Sequence, residues 1–316
     1  MQSFLLEPKT KETFLERIQS LKFSTKENYQ SSLNQFEKFS NEYYKRNSNQ
    51  VINELKSLHI PEKDEAYFTV LQNYVNWLIK KNLSASTVNL YFQVITYYFS
   101  HFGIRVHQMD IKQKIKRPRK IKEKLHSLKR EEILKLFEFS PRFRIMLYLT
   151  LIGSGMRIQE AVSLRRKDFA LDKKRIQIEI PAIHTKAQTS HTTFVTKEAE
   201  IFLKPHLEKL GMNELVFATN QNPFHAKMTE IEAFARYRKK ANLTECYQST
   251  NRHHFTLHSF RSYFFTRARR IHDTDIAHAM VGHTTYLDMY DRKEDEERLE
   301  LFLKVEPELK VFGNFQ

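Results

Sequence analysis

Four short stretches hold residues whose types and spacing suit chemistry on an anion. In Gly155-Met156-Arg157-Ile158-Gln159-Glu160 an arginine follows a glycine turn at a helix start. There its fork can meet a phosphate beside free backbone amides. Glu160 is spaced for a capping-type contact that would hold the same turn. In His184-Thr185-Lys186-Ala187-Gln188-Thr189-Ser190 a lysine stands in a turn from which its ammonium can reach outward. In His258-Ser259-Phe260-Arg261 the histidine and arginine are three apart, which puts both on one helix face. In Val281-Gly282-His283-Thr284-Thr285-Tyr286-Leu287-Asp288-Met289-Tyr290 a glycine ends a helix, a histidine sits at the turn and a tyrosine falls on the next segment. Taken singly each has an ordinary explanation: a surface arginine, a solvated lysine, a chance His-x-x-Arg, a packed tyrosine. Their common direction is what matters. Arg157, Lys186, His258, Arg261 and His283 form a basic set, and Tyr290 is a nucleophile that such a set could activate.

Elements of suitable type surround them. Helical periodicity starts near Ser24, with Glu27 in capping-box spacing, and carries Tyr29, Leu33, Phe36 and Tyr43. A second helix is predicted over about residues 65–81 through Tyr67, Leu71, Tyr74, Val75 and Leu78. A third follows Ser86 through Val88, Tyr91, Phe92, Ile95, Tyr98 and Phe99. Broad aromatic faces of this kind pack into a small helical bundle. Residues 112–124, KQKIKRPRKIKEK, then hold eight basic residues and one acid, with Pro118 breaking any helix. This reads as an exposed linker whose Lys112, Lys114, Lys116, Arg117, Arg119 and Lys120 track phosphates; a merely solvated charge run is the alternative. From residue 125 the pattern is mostly helical. The exception is Arg175 to Ile180, which alternates like a strand, and His191 to Thr196, whose β-branched residues make it look like the hairpin partner. The expected fold class is mainly α with a small antiparallel β-sheet. The expected domains are 1–111 (helical), 112–124 (basic linker) and 125–316 (second domain with a C-terminal tail).

Composition narrows the partner. The net charge of +15 calls for a polyanion, and 41% hydrophobic residues allow real cores. No apolar run is long enough to span a bilayer, and the N-terminus lacks a secretory pattern, so no membrane partner is expected. Cys246 is the only cysteine, which excludes an internal disulfide and a cysteine-rich zinc site. Neither GxGxxG nor GxxxxGK[ST] occurs, so no nucleotide cofactor is expected. No acidic cluster suits Mg²⁺, and His253 and His254 read as DNA-facing or structural and not as zinc ligands. The expectation is no metal and no cofactor.

In this order, GSGMRIQEAVSLRRKDF, the turn lysine, TLHSFRSYFFTRA and MVGHTTYLDMYDR resemble the catalytic signature of the tyrosine recombinase family, also called phage-integrase or Xer-type recombinases. STKENYQSSLNQFEKF and LSASTVNLYFQVITYYF resemble that family's helical core-binding domain, so the likeness runs along nearly the whole chain. It implies a two-domain clamp on double-stranded DNA. It also implies site-specific strand exchange by a tetramer on two DNA sites, in the cytoplasm with the nucleoid. Tyr290 would attack a backbone phosphodiester to give a 3′-phosphotyrosine and a free 5′-hydroxyl. A tyrosine with a pKa near about 10 needs help at neutral pH. His258 would accept its proton, Arg157 and Arg261 would clamp the non-bridging oxygens, Lys186 would protonate the leaving oxygen, and His283 would bond the phosphate or the nucleophile. One departure matters. In many members the nucleophile lies nine residues after this histidine, where this chain has Arg292; its tyrosines here are Tyr286 and Tyr290, and Tyr290 leaves room for a turn. The tail helix, from about Glu294 to Lys304 with Leu299, Phe302 and Leu303 on one face, is expected on a neighbouring subunit, with packing on its own domain as the alternative. A type IB topoisomerase or telomere resolvase shares this chemistry; a non-catalytic DNA-binding protein and an RNA-binding protein are readings of other classes.

Overall fold

A computed structural model describes residues 9–105, 107–282 and 294–313. Contacts divide the chain into two compact units, Met1–Glu123 and Lys124–Gln316. No helix among the described residues is long and apolar enough to cross a membrane.

The first unit is helical: α1 (Lys11–Arg17), α2 (Phe23–Phe39), a π-turn (Ser40–Tyr44), α3 (Ser48–Ser57), α4 (Glu62–Lys80), α5 (Ala85–His101) and α6 (Gln108–Lys114). The aromatic periodicity becomes its core. Phe36, Tyr74 and Phe99, from α2, α4 and α5, are fully buried. Phe36 meets Tyr74 and Phe99 edge-on at 5.3 and 5.4 Å, the geometry that aromatic quadrupoles favour. Two helix starts differ from expectation. α2 begins at Phe23 without a side-chain cap, so Ser24 lies inside its first turn. α5 is capped by Ser84, which accepts from the Thr87 amide at 3.2 Å, and Ser86 is internal.

The basic stretch also differs from an exposed linker. Lys112 and Lys114 lie on α6, and Ile115 is buried in the first unit's core. Arg117 is half-buried: its guanidinium stands 4.7 Å from the Phe92 ring centroid and donates to Asn89 at 3.1 Å. The apolar residue between the charges is what draws the segment down. Lys116, Arg119 and Lys120 remain exposed.

The second unit contains α7 (Arg130–Glu138), α8 (Arg142–Ser154), the single turn α9 (Ile158–Ala161), strands β1 (Phe169–Ala170), β2 (Gln177–Ile180) and β3 (His191–Phe194), then α10 (Lys197–Leu207), α11 (Pro223–Lys240), α12 (Leu257–Ile271), α13 (Thr274–Met280) and α14 (Asp295–Val305). The sheet is antiparallel in the order β1-β2-β3, with Ile178 opposite Thr193 and Ile180 opposite His191. β3 stops at Phe194 because Thr196 caps α10 through the Ala199 amide. Every residue of α8 from Met146 to Ser154 is buried, as an all-round apolar helix must be. α10 and α12 pack against it.

The tail takes the alternative course: α14 packs on its own unit, where Phe302 and Val305 are buried and Phe302 meets Phe194 of β3 at 5.6 Å. Polar ties hold the same course. Asp295 accepts from Gln177 at 2.7 Å, and Glu306 accepts from the Arg175 guanidinium at 2.9 Å.

Candidate active site

The site grows from the end of α8. Gly155 closes that helix in the left-handed region, at φ +66°. A Cβ there would lie 2.6 Å from Phe264 Cδ1 and 3.1 Å from Val281, so only glycine lets α8, α12 and the end of α13 converge. The carbonyl freed at this cap accepts from Arg261 Nη1 at 2.8 Å. Two residues on, Arg157 caps α9. Its amide donates to Glu160 Oε2 at 2.7 Å, and its guanidinium donates to Glu160 Oε1 at 2.6 Å. The capping-type contact expected of Glu160 is thus made, and the carboxylate also pairs with the arginine it caps.

α12 brings its two residues to the same place. Thr256 and Ser259 cap its start, the Thr256 amide donating to Ser259 Oγ at 3.0 Å. His258 and Arg261 then follow three apart. Arg261 is 4% exposed, yet among the described residues its Nη2 has no hydrogen-bond partner. An unpaired donor of this kind is costly to bury, by about 1–3 kcal/mol or more for a charged group. Burial, and next the charge of Arg157, push the guanidinium down to about 10, with Glu160 opposing. His258 keeps an exposed face, but partial burial, and then Arg261, Arg157 and Arg252, hold its imidazole below the ordinary histidine value. It is therefore neutral at neutral pH and able to accept a proton.

Sequence reasoning missed His191. This half-buried residue opens β3, and Thr193, two along on the same strand face, donates to the Ser154 carbonyl at 2.9 Å. That period of two was the available signal. A Cβ on Gly282, at φ +64°, would come within 2.5 Å of the His191 ring. Burial lowers the His191 pKa; Glu160 opposes this, and Arg261, Arg157 and Arg298 add to it.

Arg157, His258 and Arg261 are thus brought together with Glu160 and His191. Lys186 is carried on the β2–β3 connection, exposed to solvent. His283, Tyr286 and Tyr290 lie outside the described residues. Of the basic stretch, Arg117 is occupied within the first unit, as described above. The chemistry open to the cluster follows from its charge. Arg157 pairs with Glu160, while Arg261 donates, among the described residues, only to the Gly155 carbonyl, so positive charge is in surplus in a partly buried place. A monoanionic tetrahedral group such as a phosphodiester restores the balance and meets the unpaired Nη2.

Comparison with known proteins agrees. Residues 126–292, just over half of the chain, match the phage integrase family. Among solved structures the chain is similar to a lambda integrase dimer bound to a COC′ core site, with TM-score 0.59 and 17% identity over 90% of this chain and 99% of that one. It is similar to the XerH site-specific recombinase bound to its difH substrate, with TM-score 0.56 and 21% identity over 92% and 81%. It is also similar to a lambda integrase tetramer on a Holliday junction, with TM-score 0.60 and 16% identity over 90% and 80%. At these identities the likenesses show the fold. The comparison with curated proteins gives no match.

Proposed function

The chain belongs to the phage integrase family, the site-specific DNA recombinases, and from that premise we propose that it cuts and rejoins DNA through a phosphotyrosine on Tyr290. The observation that carries this reading is Arg261: a buried guanidinium, half satisfied, beside a second arginine and one carboxylate. Such a site is electrically incomplete until an anion arrives. Arg157 and Arg261 take the non-bridging oxygens of the scissile phosphate, and each is worth roughly 3–4 kcal/mol of transition-state stabilisation by analogy with oxyanion donors. The Tyr290 oxygen bonds to phosphorus as the bond to the 5′-oxygen breaks. The phenolic proton passes to neutral His258, and Lys186 gives a proton to the leaving oxygen. His283 bonds the phosphate or the nucleophile. Because the phosphodiester energy is kept in the tyrosyl link, rejoining needs no nucleotide.

The two units clamp duplex DNA, with Lys116, Arg119 and Lys120 and the helical Lys112 and Lys114 on its phosphates. Structures of lambda integrase as a dimer on a core site and as a tetramer on a Holliday junction support a tetramer on two DNA sites for this chain. Its place of action is with the nucleoid. The test is a suicide duplex nicked beside the cleavage point, which traps the covalent species. Denaturant-resistant protein–DNA complex is expected with the wild type and about 100-fold slower with Arg261→Lys. No covalent complex on any cognate site would sink the proposal.

A further inference from the structure

We infer that Thr185 is a positioning residue for the general acid, holding the β2–β3 connection so that Lys186 can reach the leaving oxygen. The inference rests on the reading of Lys186 given above. The connection spans residues 181–190, between Ile180 and His191, which pair across the sheet. Its residues are otherwise half-buried or exposed, with Ile183 85% exposed, but Thr185 is 5% exposed. Its hydroxyl ties the two sides of the connection together. Thr185 Oγ1 donates to the Ala182 carbonyl at 3.0 Å and accepts from the Thr189 amide at 3.1 Å. Lys186, Ala187 and Gln188 form the short exposed arc that this hydroxyl closes, and Gln188 adopts a left-handed φ of 58° to complete it.

The arrangement answers a physical difficulty. A lysine on a surface loop has a long flexible stem, and an acid must stand within hydrogen-bond reach of the atom it protonates. Anchoring the residue just before the lysine confines its Cα at the solvent-exposed arc from which its ammonium would approach DNA. Threonine suits the place better than serine, because its branched Cβ restricts χ1 and keeps the hydroxyl aimed. Thr185 itself touches no substrate in this scheme and acts through Lys186.

The step that Lys186 serves gives a selective test. The Tyr290 oxygen–phosphorus bond forms, the phosphorus–5′-oxygen bond breaks, the phenolic proton goes to His258 and a proton from the Lys186 ammonium goes to the 5′-oxygen. If sulfur replaces that oxygen, the leaving group is a thiolate whose conjugate acid has a pKa near about 8.5, and it departs without a proton. Cleavage of matched 5′-oxygen and 5′-sulfur suicide duplexes is therefore compared for wild type, Lys186→Ala, Thr185→Val and Thr185→Ser, with DNA affinity measured beside it. Lys186→Ala is expected to lose about 100-fold or more on oxygen and little on sulfur. Thr185→Val should lose about tenfold on oxygen, hold near wild-type rates on sulfur and bind DNA unchanged, since misplacement of a catalytic group is costly. Thr185→Ser should recover most of the oxygen rate. Near-normal sulfur cleavage also shows that the valine variant is folded. Equal losses of Thr185→Val on both substrates, or no loss on either, overturn the inference while leaving Lys186 as the acid. Equal losses of Lys186→Ala on both overturn the underlying reading, and the role of Thr185 with it.

Discussion

At the scale of single residues the proposed site would work by charge placed where an anion's charge will grow. On that reading Arg157 and Arg261 would contact one phosphate among the many that a duplex presents. Replacing Arg157 by Gln should therefore slow cleavage by about 100-fold or more and leave DNA affinity nearly unchanged. Single-turnover cleavage and a binding titration on the same protein separate the two; equal losses would reduce Arg157 to a binding residue. His258 yields a pH prediction. Its pKa is lowered by partial burial and the neighbouring arginines, so the neutral, proton-accepting form persists below the ordinary value of about 6.5. The cleavage rate should hold on descending through that pH and fall only below it, and His258→Asn should be slow without this acid limb. An acid limb centred above about 6.5 in the wild type would contradict the assignment. The spacing of His258 and Arg261 was legible in the sequence because a helix fixes which residues share a face. His191 was not, because its place beside Gly282 comes from a strand and a helix end that meet only in three dimensions.

At the scale of elements, the strongly periodic helices could be read and their ends could not. The Val88, Phe92, Ile95 and Phe99 spacing belongs to a helix wherever it starts. The cap is decided by one hydroxyl, and two serines stood close enough to compete for it. The strand beyond the expected hairpin, β1 at Phe169–Ala170, has two residues and carries no alternation to detect. The tail shows a different limit. Its apolar face was evident, but a face does not name its partner, and here the partner is the sheet and α12 of the same unit. Phe302, 1% exposed against Phe194, should cost about 3–5 kcal/mol of stability as Phe302→Ala. A thermal or denaturant melt of the DNA-free protein checks this. An unchanged midpoint would mean that α14 does not hold this place in solution and would return it to a neighbouring subunit.

At the scale of the whole molecule, a net charge of +15 makes DNA binding a salt-dependent equilibrium. Each phosphate neutralised contributes roughly −0.9 to the slope of log affinity against log salt. Replacing the exposed Lys116, Arg119 and Lys120 by glutamine should flatten that slope by up to about three units, and for all duplexes alike, because phosphate contacts carry little sequence information. Arg117→Gln should instead lower the stability of the first unit, since its guanidinium is engaged with Phe92 and Asn89. An unchanged slope for the triple variant would show that the three are only solvated.

The most direct measurement is the chemical identity of the protein–DNA link. Wild-type protein is trapped on a nicked suicide duplex, digested, and the peptide that carries the nucleotide is sequenced by mass spectrometry. The expected result is a 3′-phosphodiester on Tyr290, absent from Tyr290→Phe, which still binds DNA as the wild type does. A link on Tyr286 or another residue, or a covalent complex that survives Tyr290→Phe, would contradict it.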